Sequence, residues 1–140
     1  MLGNLGDSLA KLKGSSVRVL ETDAYPEVGK ATAQLVFSGG TKLRIDYWRF
    51  VRGGKRRLSS FDHKQQYGLP APIDAIKELQ GDLHGKIVTG AQLDRETRDL
   101  HLQFTEDLKL QVFGFSAYEV WEISFPDGTA EYSNGGKWPA

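Results

Sequence analysis

Apolar and polar residues alternate with a period of two through much of the second half of the chain. Leu100, Leu102 and Phe104 alternate with His101 and Gln103, Leu108, Leu110 and Val112 with Lys109 and Gln111, and Trp121, Ile123 and Phe125 with Glu122 and Ser124. Successive side chains of a strand point to opposite faces, so each run predicts a strand with one buried face. Residues 87–93 read as a further strand, and residues 94–99 as a polar turn. Pro126-Asp127-Gly128 is a turn that sends residues 129–132 back along the preceding strand. Residues 133–136, with their glycine pair, read as a frayed tail.

The first half carries the same signals less densely. Leu5, Leu9 and Leu12 fall on one face of a helix over residues 4–12, capped by Asn4, with Asp7 in its first turn and Gly14 as its stop. Residues 16–20 form a strand and residues 22–29 a loop. Residues 31–37 and the alternation of Leu43, Ile45 and Tyr47 form two strands joined at Ser38-Gly39-Gly40, where glycine reaches positive φ freely. Gly53-Gly54 predicts a hairpin pairing residues 48–52 with 55–59. An irregular stretch, residues 60–71, leads to a second helix opened by Pro72 at its first position and ending between residues 80 and 84. The expected fold is α+β, mainly antiparallel, with two short helices and eight to ten strands in a single domain over residues 1–140.

The order of elements repeats. Leu5, Leu12, Gly14 and Val17 match Ile76, Leu83, Gly85 and Val88 at an offset of 71, and Leu35, Phe37, Leu43 and Ile45 match Leu102, Phe104, Leu110 and Val112 at an offset of 67. The change falls in the loop near residues 22–30, where length differences are tolerated. The spacing points to an internal duplication, residues 4–59 and 73–132, of a helix-plus-four-strand unit about a pseudo-twofold axis. Apolar alternation in any two β-rich halves offers a simpler account of the match. Either way, units of this size are too small for comfortable independence.

Composition narrows the functional classes. The chain has 140 residues and no cysteine, so thiolate chemistry and disulfides are excluded. No apolar run is long enough for a membrane helix. The start Met1-Leu2-Gly3-Asn4-Leu5 has neither a basic region nor an apolar run, so the expectation is a cytoplasmic protein without a leader. Net charge is zero, yet residues 1–70 hold 12 Lys or Arg against 6 Asp or Glu, and residues 71–140 hold 6 against 12. Such a split can steer a charged partner or favour a homodimer.

Candidate chemistry is sparse. Asp62, His63, Gln65 and Tyr67 cluster in the irregular stretch, but neighbours on an extended chain face opposite ways and no nucleophile accompanies them, so hydrogen-bonded capping of a sheet edge is the plainer reading. His63, His84 and His101 lack zinc spacing, and Asp94, Glu96 and Asp99 lack the spacing of a calcium loop, so no metal or cofactor is expected. Glu119 and Glu122 flank Trp121, but residues three apart on one strand face opposite sides and cannot pair. Arg49, Arg52, Lys55, Arg56 and Arg57 form a basic hairpin near Trp48, Phe50 and Phe61. It fits an acidic protein partner. It fits nucleic acid less well, because zero net charge forgoes the electrostatic footprint of such binders.

The runs Leu108-Lys109-Leu110-Gln111-Val112-Phe113, Tyr118-Glu119-Val120-Trp121-Glu122-Ile123 and Phe125-Pro126-Asp127-Gly128 resemble small bacterial domains, some of which look like immunity proteins of polymorphic toxin systems. The resemblance covers about 30 residues of the C-terminal part, with the stretch from Asp62 to Pro72 beside it. It implies a non-enzymatic protein that binds and blocks a partner toxin. The expected function is therefore protein interaction, through Arg49, Arg52, Lys55, Arg56, Arg57, Asp62, His63, Tyr67, Glu119 and Glu122. The competing classes are a nucleic-acid binder through residues 48–57 and a small hydrolase assembled from distant residues, the latter recognisable by a pocket joining His63 or His101 to carboxylates.

Overall fold

The structure, a computed structural model, describes residues 5–22 and 30–139. The expected cap Asn4 and most of the loop at 22–29 lie outside the described residues. Two helices, α1 (Leu5–Ala10) and α2 (Ala75–Leu83), accompany eleven strands among the described residues. In chain order the first five are β1 (Val17–Glu21), β2 (Ala33–Phe37), β3 (Lys42–Ile45), β4 (Trp48–Arg52) and β5 (Lys55–Ser59). After α2 come β6 (Val88–Leu93), β7 (Leu100–Phe104), β8 (Leu108–Val112), β9 (Trp121–Ser124), β10 (Ala130–Tyr132) and β11 (Lys137–Trp138). The fold is α+β and its strand pairs are antiparallel. No helix among the described residues is long and apolar enough to cross a membrane.

The strands form two sheets, β1-β2-β3-β9-β10-β11 and β5-β4-β8-β7-β6. Each half of the chain lends its last hairpin to the sheet begun by the other: β4 pairs with β8, and β9 with β3. The helices follow suit, α2 packing on β1 and α1 on β6. One apolar cluster joins both sheets and both helices, with Trp48, Trp121, Phe37 and Phe50 among its largest buried side chains.

The contacts repeat in pairs, consistent with a duplicated unit. Gly14 N–H donates to Val88 O at 2.8 Å and Gly85 N–H to Val17 O at 2.7 Å, the same bond shifted by 71 in both partners. Gly14 and Gly85 both lie at positive φ, 92° and 81°, the conformation that lets each close its helix against the other half. The antiparallel bridge between Ser16 and Ile87 sits between these bonds, so the pseudo-twofold axis passes through it. A second pair, Asp46 N–H to Val120 O at 3.1 Å and Phe113 N–H to Tyr47 O at 2.9 Å, marks where the chain crosses between sheets in each half. Each half carries a helix followed by five strands where a helix plus four was expected, and β11 follows in the second half.

Four local expectations need correction. Pro72 does not open α2; the helix begins at Ala75, where the Asp74 carboxylate accepts the Lys77 N–H at 3.0 Å. Tyr47 does not continue β3, which ends at Ile45. The crossing resets the alternation there, so Trp48 and Phe50 point inward instead. Residues 133–136 are no frayed tail. Ser133 is buried, and the turn after it leads into β11, which takes the strand count to eleven. Residues 31 and 32 precede β2, which starts at Ala33.

Candidate interaction surface

The basic hairpin folds as expected, with Arg52 opposite Lys55 across the turn and a bulge that displaces Arg57 from the ladder. Its charges do not form one free patch. The bulge turns Arg57 toward α2, where its guanidinium meets Glu78 at 3.6 Å and Asp82 at 3.3 Å, and Arg52 meets Asp82 at 3.5 Å. Asp82 Oδ2 has no aligned hydrogen bond, so the Arg57–Asp82 contact is a charge contact only. Thus a basic hairpin from the first half and an acidic helix from the second neutralise each other. Lys55 and Arg56 remain exposed. Arg49 points to the outer sheet face, where its Nε donates to Gln111 Oε1 at 2.7 Å and its guanidinium lies 5.5 Å from the Phe113 ring centroid.

The irregular stretch wraps the end of β5. Asp62 accepts from Ser59 N–H at 2.9 Å and from the Tyr67 hydroxyl at 3.0 Å, which raises the tyrosine's pKa. His63 turns the other way and is buried, its Nδ1 accepting the Ala75 N–H at 3.1 Å. That bond assigns the imidazole proton to Nε2, and burial lowers the pKa from its ordinary 6.5, with the Asp74 carboxylate opposing the shift less strongly. Asp62 and His63 therefore do not act together.

At the crossing between sheets the side chains form an aromatic stack that no sequence spacing announces. Tyr47 lies between Phe61, at 5.6 Å between ring centroids, and Phe115, at 5.1 Å. Phe61 is 47% exposed and Phe115 63%, and Tyr118 beyond them is 82% exposed. Phe113, bonded through its backbone to Tyr47, links the stack to Arg49, and Phe61 neighbours Asp62, with its bond to Tyr67. Of the candidate residues, Arg49 lies over the Phe113 ring, Asp62 and Tyr67 bond to each other just after Phe61 in the chain, Arg52 and Arg57 lie on the helix seam and His63 lies inside.

Glu119 sits apart from β9, so the rule that separates residues three apart on a strand does not govern it. Both glutamates act near Tyr132: the Glu122 carboxylate beside its hydroxyl raises the phenol's pKa, and the charge of Glu119 adds to the shift. Arg44 joins them by donating to the Glu119 carbonyl at 2.8 Å. At the polar turn, Asp94 accepts from the Glu96 and Thr97 backbones, which lowers its pKa, and Asp99 accepts the Gly114 N–H at 2.7 Å. These carboxylates organise the chain rather than converge on one point, and no group of three metal-ligating side chains occurs among the described residues.

A cavity of about 480 Å³ brings His63 together with Glu21 and Asp74. The Asp74 carboxylate caps α2, and the Thr32 hydroxyl at the cavity wall donates to Asp46 Oδ1 at 3.1 Å. Thr22 also lines this cavity, and His63 meets it with Nδ1 already engaged by the Ala75 N–H. Comparison with protein-family models, with curated proteins and with solved structures finds no match.

Proposed function

We propose that the chain is a non-catalytic protein-interaction module that engages its partner through the aromatic stack Phe61–Tyr47–Phe115 together with Arg49, Asp62 and Tyr67. The exposed stack carries this reading. Aromatic side chains and arginine dominate binding energy at protein interfaces, because large rigid surfaces are desolvated at small entropic cost. Tyr47 packs against both Phe61 and Phe115, which favours a surface formed in advance of any partner. An immunity-like inhibitor of a bacterial toxin is the specific form of this proposal, in line with the resemblance of the C-terminal strands. A partner with an acidic rim would meet Arg49, Lys55 and Arg56.

The test is retention of protein from nuclease-treated lysate of the native organism by the tagged chain, compared with a Phe61→Asp, Phe115→Asp variant of unchanged unfolding midpoint. A single protein held by the wild type and lost by the variant supports the reading. Retention equal in both removes the stack from the interface, and retention seen only when the nuclease is omitted moves the function to residues 48–57. The pocket that joins His63 to the carboxylates of Glu21 and Asp74 is what supports the hydrolase alternative.

A further inference from the structure

The two helix–hairpin seams related by the pseudo-twofold axis are filled differently. Between α2 and β5 the space is occupied. Leu79 of the helix and Leu58 of the hairpin are buried, and Arg52 and Arg57 reach over them to Glu78 and Asp82. The offsets of 71 for the helices and 73 for the hairpins place Ser8 at the position of Leu79, Lys11 at Asp82, Phe125 at Arg52 and Glu131 at Leu58. Two buried leucines are thereby exchanged for a serine and a glutamate, and the bridging ion pairs are gone. A cleft of about 430 Å³ opens between α1 and the β9–β10 hairpin.

The size falls within the range of small-ligand sites, and the lining is mixed rather than merely vacant of side chains. Phe125 and Trp138 supply aromatic walls, Trp138 being 62% exposed. Glu131 is already engaged by Arg98 at 3.3 Å, and Asp127 by the Thr129 hydroxyl at 2.6 Å and backbone at 2.9 Å. Asp127, its pKa lowered chiefly by the Thr129 bonds, stays charged, and Lys11 lies within charge range of it; with Glu131 matched by Arg98, the excess charge of the lining is positive and rests on Lys137, which makes no ion pair among the described residues.

We infer that the cleft between α1 and the β9–β10 hairpin is a binding site for a small planar aromatic anion, its ring between Trp138 and Phe125 and its carboxylate at Lys11 or Lys137. The site is separate from the aromatic stack and stands without the interaction reading.

Trp48 and Trp121 donate their indole N–H groups internally at 2.8 Å, so the third indole N–H resonance reports Trp138 directly. The probe is 1-naphthoate, titrated against the intact chain and followed at that resonance, with 1-naphthylmethylammonium as its cationic counterpart. A saturable shift with naphthoate is expected, about tenfold weaker with the cation, and lost in Ser8→Leu, which restores the filling side chain of the other seam. Lys11→Glu leaves the cleft open and is expected to weaken naphthoate by at least about tenfold, so the question stays answerable if Ser8→Leu fails to fold. No saturable shift, equal binding of both probes, or naphthoate binding undiminished in either folded variant overturns the assignment.

Discussion

Trp48 and Trp121 occupy matching places in the two halves, and their surroundings show where matched scaffolds are held together and where they part. Each is fully buried, and each donates its indole N–H to a carbonyl at 2.8 Å: Trp48 to Ala31, Trp121 to Arg98, positions 67 apart. Each backbone N–H meets a buried serine hydroxyl, Ser60 at 2.9 Å and Ser133 at 3.4 Å, positions 73 apart. The parts that must satisfy buried polar groups are thus the same in both halves. The residue supplying the carbonyl differs: Ala31 is buried, whereas Arg98 sends its side chain over the Trp121 ring and on to Tyr132 O, Ser133 O and Glu131. The crossing loops differ as well. The offset rises from 67 before the crossing to 73 after it, so the second crossing is six residues longer, and those residues carry Phe115 and Tyr118 of the exposed surface.

The severest way to break the match is to remove the tryptophans. Trp48→Ala and Trp121→Ala should each cost about 3–5 kcal/mol in urea unfolding. The second should lie at the upper end, because Arg98 loses the ring beneath it; a cost for Trp121 well below that for Trp48 would mean that the two nodes are not equivalent. Ser60→Ala and Ser133→Ala come next, at about 1–3 kcal/mol, since each strands a buried backbone N–H. Ser60 should be the costlier, because the Val120 N–H near Ser133 has a second acceptor in Tyr118 O; equal midpoints would deny that difference. Breaking the closed seam with Arg57→Ala should cost at most about 1 kcal/mol, as expected of a partly exposed ion pair, and the cost should shrink in high salt.

The smallest effect concerns pH. His63 is neutral in the fold with a lowered pKa, whereas in the unfolded chain it takes up a proton near 6.5. The unfolded state therefore binds more protons below that value. The contribution is complete above about pH 6.5 and is lost as pH falls toward and through the lowered folded value. The urea midpoint of the wild type should drop more between pH 7 and 5 than that of His63→Gln; parallel profiles would show that protonating His63 costs the fold nothing.

Much of this scaffold is legible in the sequence, because alternation over residues 100–125 leaves each strand one apolar face, and the offsets of 71 and 67 can be counted directly. What escapes is set by distant packing. The alternation of Leu43 and Ile45 runs on to Tyr47 in sequence, yet the crossing at Asp46 and Tyr47 resets it and puts Trp48 inside. Ser133 hides beside Asn134 and two glycines; its distance of 73 from Ser60 was the available signal. The basic hairpin is plain from composition, but its neutralisation by Glu78 and Asp82 depends on how α2 lies. Phe61, Tyr47 and Phe115 are scattered along the chain and meet only once both crossings are built.

The exchange of hairpins also dictates an order of events during synthesis. When the first half leaves the ribosome, β3 has an unpaired edge until β9 is made, and the β4–β5 hairpin has no sheet to join until β8 appears. Neither sheet can close before residues 108–124 have emerged. The nascent chain thus carries exposed strand edges for half its length, the state most open to mispairing with a neighbouring chain. Lys55 and Arg56, exposed on the waiting hairpin, place charge where such mispairing would begin.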